Sequence, residues 1–126
     1  MKTIPIKDRT IHFQCGDDRP TIFAVQFGAY HNNGALAVFA RIYFGDGQFE
    51  SMPISVNLPD DAAMLDDGEF FLKEWSENEN IAQALRTAGL VENVGKTASS
   101  GFIKTIQAVR LVQGLLDHEL SKEFED

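Results

Sequence analysis

The stretch from Thr21 to Asn57 limits the fold most, because its apolar residues recur at every second position and the recurrence breaks only at turn residues. A period of two places successive side chains on opposite faces of an extended strand. Phe23, Val25 and Phe27 form one apolar face of a first strand. His31-Asn32-Asn33-Gly34 follows, residues that tolerate the positive φ of a tight hairpin. The returning strand sets Leu36, Val38, Ala40, Ile42 and Phe44 on one face, with Ala35, Ala37, Phe39 and Tyr43 on the other. Both faces are mostly apolar, so this strand is expected at a sheet centre, covered on both sides. After the turn Gly45-Asp46-Gly47, the third strand from Phe49 to Asn57 shifts its apolar parity from Phe49 to Met52, Ile54 and Val56. Pro53 has no N–H to give a ladder, so a bulge or an edge position is expected there. Three strands joined by two short turns make an antiparallel meander.

Upstream, Ile4 and Ile6 alternate with polar neighbours, Lys7-Asp8-Arg9 reads as a turn, and Ile11, Phe13 and Cys15 resume the alternation before the loop Asp17-Asp18-Arg19-Pro20. Cys15 shares parity with Ile11 and Phe13, which predicts a buried, inert thiol. Downstream, Leu58-Pro59-Asp60-Asp61 ends the meander, and a helical turn is expected around Ala62 to Leu65. Ser76 with Glu79 three residues later has the spacing of a capping box. Ile81, Ala84, Leu85 and Ala88 then fall on one helical face, and Gly89 sits where a C-cap needs a left-handed residue. Residues 101–111 fit both periods: Phe102, Ile106 and Val109 as a helix, Ile103, Thr105, Gln107, Val109 and Leu111 as a strand. Leu115 to Phe124 has the pattern of a short amphipathic helix. The expected fold is therefore α+β, a single domain over residues 1–126. It has an antiparallel sheet of five or six strands, one capped helix packed on one face and a short C-terminal helix.

With 126 residues, 44% hydrophobic content and ten phenylalanines, the chain can close one core. No apolar run reaches the length of a membrane span, and the opening MKTIPIKDR has no apolar segment of a secretion signal. Cys15 is the only cysteine, so no internal disulfide forms. A cytoplasmic protein without a membrane association is expected.

The net charge of −8 is uneven. Residues 60–79 hold eight acids against the single base Lys73, whereas residues 1–59 balance five of each. Nucleic-acid affinity depends on cations that neutralise phosphates, so direct nucleic-acid binding is not expected. A protein with a basic surface fits this charge, and a homo-oligomer is left open.

Enzymatic motifs fail one by one. Gly95-Lys96-Thr97 supplies the end of a phosphate-binding loop, but Leu90 stands where its first glycine is required, and a helix precedes it where a strand is needed. His12 and Cys15 are an odd number of residues apart, which points them to opposite strand faces. The histidines and the cysteine have no zinc spacing. Pro59-Asp60 could open a metal-dependent nuclease pattern, but Phe71 stands where an acid two residues before Lys73 is needed. Asp66-Asp67-Gly68-Glu69 lacks the ligand spacing of an EF-hand. No catalytic, cofactor-binding or metal-binding residue is therefore assigned, and no cofactor is expected.

Binding is better supplied. Phe70, Phe71, Leu72 and Trp75 follow the acidic segment, and an aromatic anchor rimmed by acids is how protein interfaces concentrate their energy. Asp60, Asp61, Asp66, Asp67, Phe71 and Trp75 are the candidate protein-binding residues. The function expected is non-catalytic binding of a protein with a basic surface; the alternative is a small metal-dependent hydrolase using the carboxylates of residues 60–69.

Three segments also carry a resemblance: Lys2-Thr3-Ile4 with Lys7-Asp8-Arg9, Val56-Asn57-Leu58-Pro59, and Gly89-Leu90 with Gly95-Lys96-Thr97 and Ser100-Gly101-Phe102. Together they resemble a small bacterial family of unknown function, often encoded on conjugative elements of Gram-positive bacteria. Its pattern runs through V-N-L-P and G-x-T-x-x-S-G-F. Ala88 departs from the asparagine frequent there, and Thr105-Ile106-Gln107-Ala108 replaces an aromatic-rich segment. The resemblance implies an α+β fold with residues 101–111 as a strand, and implies no activity. With the charge, it suggests a mobile-element accessory, inhibitor or immunity factor.

Overall fold

The structure, a computed structural model, describes residues 2–6, 11–45, 47–112 and 124–125. It holds ten strands and one α-helix among those residues. In chain order they are β1 (Lys2–Pro5), β2 (Ile11–His12), β3 (Thr21–Ala29), β4 (Leu36–Gly45), β5 (Gln48–Pro53), β6 (Ser55–Val56) and β7 (Glu69–Leu72). Then come α1 (Glu79–Thr87), β8 (Val91–Ser100), β9 (Ile103–Leu111) and β10 (Phe124–Glu125). All pairings are antiparallel.

The strand order β3 to β4 to β5 forms as expected, with Gly34 at φ 72° closing the first turn. A register shift between Ile22 and Ala24, however, takes Phe23 off the face of Val25 and Phe27, and Tyr43 leaves the outer face of β4 partly exposed rather than covered. The meander lies in a six-stranded sheet ordered β10-β1-β3-β4-β5, with β2 beside β3. The expectation of one sheet needs correction, because a second sheet of four strands, β6-β7-β9-β8, faces the first. The chain changes sheets just after Pro53, at the edge position expected for a residue without an N–H. Ile54 donates its N–H to Val38 in the first sheet at 2.9 Å, and its carbonyl accepts from Lys73 at the end of β7 at 2.8 Å.

The main core lies between the sheets: Ile22, Val25, Val38, Ala40 and Ile42 from the first, Phe70, Leu72 and Val109 from the second. Helix α1 adds Ile81, Ala82 and Leu85 to it. The helix ends as its sequence requires. Gly89 takes φ 71°, its N–H reaches the Arg86 carbonyl at 3.0 Å, and the Leu90 N–H reaches Leu85 at 2.9 Å. That bond pair is a Schellman motif, and Leu85 and Leu90 supply its apolar contact inside the core.

The start of the helix does not follow the sequence pattern. Ser76 is exposed at φ 59°, in a 3₁₀ turn over Ser76–Asn78, and does not cap. Asn78 stands at the cap position without a side-chain cap bond, and its Nδ2 donates instead to the Pro53 carbonyl at 2.7 Å. The S-x-x-E spacing is present, but a residue in the left-handed region does not hold the extended backbone of a capping serine.

Cys15 also departs from expectation and is exposed. Strand β2 ends at His12, and Cys15 pairs with Asp18 across a turn, so the parity of Ile11 and Phe13 does not reach it. Residues 103–111 are a strand, the alternative that the resemblance favoured. The helix expected over residues 115–124 lies outside the described residues except for Phe124, which pairs with Thr3 as a strand. The turn expected at residues 7–9 also lies outside them.

Candidate functional site

The acidic segment forms a ledge over the outer face of the second sheet. Pro59 starts a 3₁₀ helix over Pro59–Met64, its fixed φ suiting a first helical position. Leu58 and Leu65 at the two ends pack against a second apolar cluster of Phe71, Ile106 and Ala108. Trp75 packs on the same cluster from the other side of β7 in sequence. Strand β7 is thus covered on both faces, Phe70 and Leu72 toward the main core and Phe71 beneath the ledge.

This placement removes Phe71 from the sequence-derived site. Phe71 is 1% exposed and cannot touch a partner. Trp75 is half-buried and serves as footing for the ledge. The ledge leaves Asp60, Asp66 and Asp67 exposed and Asp61 half-exposed.

The surrounding acids are not equivalent. Lys96 reaches from β8 to Glu69 Oε1 at 2.7 Å and Asp66 Oδ2 at 3.0 Å, and the Asp66 N–H is a second donor to Glu69 Oε1 at 2.9 Å. The Lys96 hydrogen bond, then the Asp66 N–H, holds the Glu69 carboxyl below its usual pKa despite its burial. The same bonds raise Lys96, Glu69 contributing most. Arg86 clasps Glu74 with Nε and Nη2 at 2.6 and 2.8 Å, a bidentate pair that raises the guanidinium pKa. Asp60, Asp61 and Asp67 have no such partner among the described residues.

A groove of about 480 Å³ separates Asp66 and Asp67 from the β3–β4 hairpin, where Gly28, Ala29, Gly34 and Ala35 leave room by their small side chains. The hairpin wall is fixed: Asn33 Nδ2 donates to Asn57 Oδ1, and Asn57 Nδ2 to Asn32 Oδ1, both at 3.0 Å. On the other side, Pro59, Asp60 and Asp61 share a smaller groove of about 200 Å³ with Ser99 and Ser100. Just beyond Ser100, at the tip of the β8–β9 turn, Phe102 is fully exposed. Gly101 at φ 57° meets the turn's need for a left-handed residue, so the turn does not demand an aromatic beside it.

No three histidine, cysteine or carboxylate groups among the described residues converge as a metal-binding set, and Glu69 is already held by Lys96. Gly95-Lys96-Thr97 lies inside strand β8, where Gly95 at φ 82° accompanies a register shift between Asn93 and Thr97. That is a bulge in a strand rather than a loop ahead of a helix. His12 Nδ1 is engaged with Thr21 Oγ1 at 3.1 Å. No helix among the described residues is long and apolar enough to cross a membrane.

The sequence reading also missed a cluster on the open face of the first sheet, where Phe23, Tyr43 and Phe49 meet beside Arg41. Its signal was the parity shift at Phe49, which marks a residue turned away from the core. Comparison of the chain with family models, with curated proteins and with solved structures finds no match, so the site stands on its own geometry.

Proposed function

We propose that this chain is a non-catalytic binding domain that docks a protein with a basic surface on the ledge of Asp60, Asp61, Asp66 and Asp67. One observation carries the reading: among the described residues Asp60, Asp61 and Asp67 have no cation partner while the neighbouring Glu69 and Glu74 have one, and the fully exposed Phe102 lies two residues beyond Ser100, which shares a groove with Asp60 and Asp61. The unneutralised carboxylates of Asp60, Asp61 and Asp67 steer a cationic partner, and a neighbouring exposed aromatic supplies desolvated contact area. Phe102 takes the anchoring role that the sequence suggested for Phe71 and Trp75.

Within that class, charge and the family resemblance favour an accessory, inhibitor or immunity factor of a mobile element, covering a surface that otherwise meets nucleic acid. A cytoplasmic setting fits, since the exposed Cys15 thiol stays reduced there. Affinity capture at low and high salt tests the proposal, comparing the wild-type chain with a variant carrying Asp60, Asp61, Asp66 and Asp67 as Asn and with Phe102→Ser. Salt-sensitive recovery of basic proteins, lost in both variants, is expected. Equal recovery of the same proteins by all three at both salts would reduce the ledge to a solvated surface.

A further inference from the structure

The open face of the first sheet carries a built cluster on three adjacent strands. The β3–β4 register shifts between Ile22 and Ala24, which brings Phe23 to the side away from the core. There the Phe23 and Phe49 rings meet edge to face with centroids 5.5 Å apart, and Tyr43 lies 4.9 Å from Phe49. Phe49 is 57% exposed and Tyr43 38%, although aromatic residues of this size contribute most when covered.

Arg41 sits within this cluster, its Cζ 5.9 Å above the Phe23 ring. Its Nη1 donates to Ser51 Oγ at 3.2 Å, Ser51 Oγ donates to Gln26 Oε1 at 2.8 Å, and Gln26 Nε2 donates to Thr3 Oγ1 at 3.2 Å. This chain of bonds crosses four strands and tethers the guanidinium through Nη1. A guanidinium has five N–H donors, and Ser51 takes one. Arg86 and Arg110 each hold a glutamate, but Arg41 has no carboxylate among the described residues of a strongly acidic chain.

We propose that this face binds an extended segment of a partner protein that lays an aromatic or aliphatic side chain on Phe23, Tyr43 and Phe49 and a carboxylate on Arg41. The complementarity is specific: the planar fork of a guanidinium held over the Phe23 ring matches a carboxylate with two parallel bonds. Phenylalanine, tyrosine and arginine, with no lysine or acid among them, are the composition of an interface centre. A second copy fits poorly, because a two-fold contact sets Arg41 against Arg41 and brings two chains of charge −8 together. A single-stranded nucleic acid would find stacking surfaces but one cation for many phosphates. This surface is distinct from the acidic ledge and does not depend on it.

The test is selection of a phage-displayed random peptide library on the immobilised full-length chain, followed by affinity measurement with synthetic copies of the selected peptides. Selected peptides should pair Asp or Glu with a nearby aromatic or aliphatic residue. Arg41→Gln should weaken them about ten- to a hundredfold, the loss of a charge-assisted bond pair. Arg41→Lys should recover part of that affinity, and Phe49→Ser should weaken binding about tenfold while the chain still unfolds in one cooperative transition. The variant with four Asp→Asn changes on the ledge should bind them as the wild type does, which separates this face from the ledge. The proposal fails if no peptide is enriched, if enriched peptides are basic and lost in the ledge variant, or if Arg41→Gln leaves their affinity intact. Binding of a labelled oligothymidylate that Phe49→Ser abolishes would assign the face to nucleic acid instead.

Discussion

Leu85→Ala should remove a large part of the stability of this domain. Leu85 is 0% exposed and lies where α1 meets both sheets. The substitution deletes three carbons, worth roughly 2.4 kcal/mol at about 0.8 kcal/mol per buried methylene. A cavity term is added, since Ile81, Leu90 and Val109 are anchored by their own elements and close in only partly. The total expected is about 3–4 kcal/mol, within the range of buried Leu→Ala substitutions. The Schellman bonds survive because they use the backbone carbonyls of Leu85 and Arg86. With a urea slope of about 1–3 kcal/mol/M, the midpoint should fall by about 2 M at unchanged slope. Gln83→Ala, on the exposed side of the same helix, should change stability by less than about 0.5 kcal/mol. An unchanged midpoint for Leu85→Ala would mean that the helix does not close the core, and the placement of α1 would be wrong.

Ser76→Gly should be neutral or stabilising by up to about 1 kcal/mol, because glycine enters the left-handed region without the steric cost of a Cβ; a loss of stability on urea titration would restore Ser76 as a cap. The lowered pKa of Glu69 gives stability that is present above the unfolded carboxyl value, about 4.3, and is lost as pH falls through the folded value. Urea midpoints against pH should therefore show a shallower acid limb in Lys96→Ala, and parallel limbs would refute the pairing. The raised pKa of Lys96 acts at the other end, with stability full below about 10.4 and lost as pH rises through the folded value. Lys96 and Thr97 should show no saturable binding of ATP or GTP by calorimetry; micromolar binding abolished by Lys96→Ala would overturn the assignment of Lys96 to Glu69 and Asp66.

Elements with a buried face and demanding turns were legible in the sequence. The strand order of the meander needed only alternation plus turn residues, though not the bulge that turns Phe23 away from Val25, and the end of α1 needed only Gly89 after an apolar stripe. Strand β8 was not legible, because Val-Glu-Asn-Val-Gly-Lys-Thr-Ala-Ser-Ser has no sustained alternation. As an edge strand it half-buries Val94 and Ala98, and the bulge at Gly95 breaks its parity. With β8 unseen, the second sheet could not be inferred. Phe70 and Phe71 then read as a surplus of apolar side chains rather than as a strand covered on both faces. The acids of the ledge were legible as a charge bias. Which of them stay unneutralised depends on Lys96 and Arg86, about thirty and twelve residues away in sequence, and only the fold brings those together.

The two outer faces of the sandwich show why local sequence could not rank their aromatics. Both sheets spend their inner faces on one core, so each has an outer face that must be covered or left to solvent. The second sheet covers its own: Leu58, Leu65 and Trp75 close over Phe71 and Ile106, and Phe71 falls to 1% exposure. The first sheet has no described element over Phe49 and Tyr43, which stay well exposed around a tethered arginine. A fold that needed those aromatics only for packing would gain by covering them as it covers Phe71, at roughly 25 cal/mol per Å² of apolar surface. Their exposure beside Arg41 is the observation from which the docking of an extended, carboxylate-bearing segment is proposed, and the Arg41 and Phe49 variants test it.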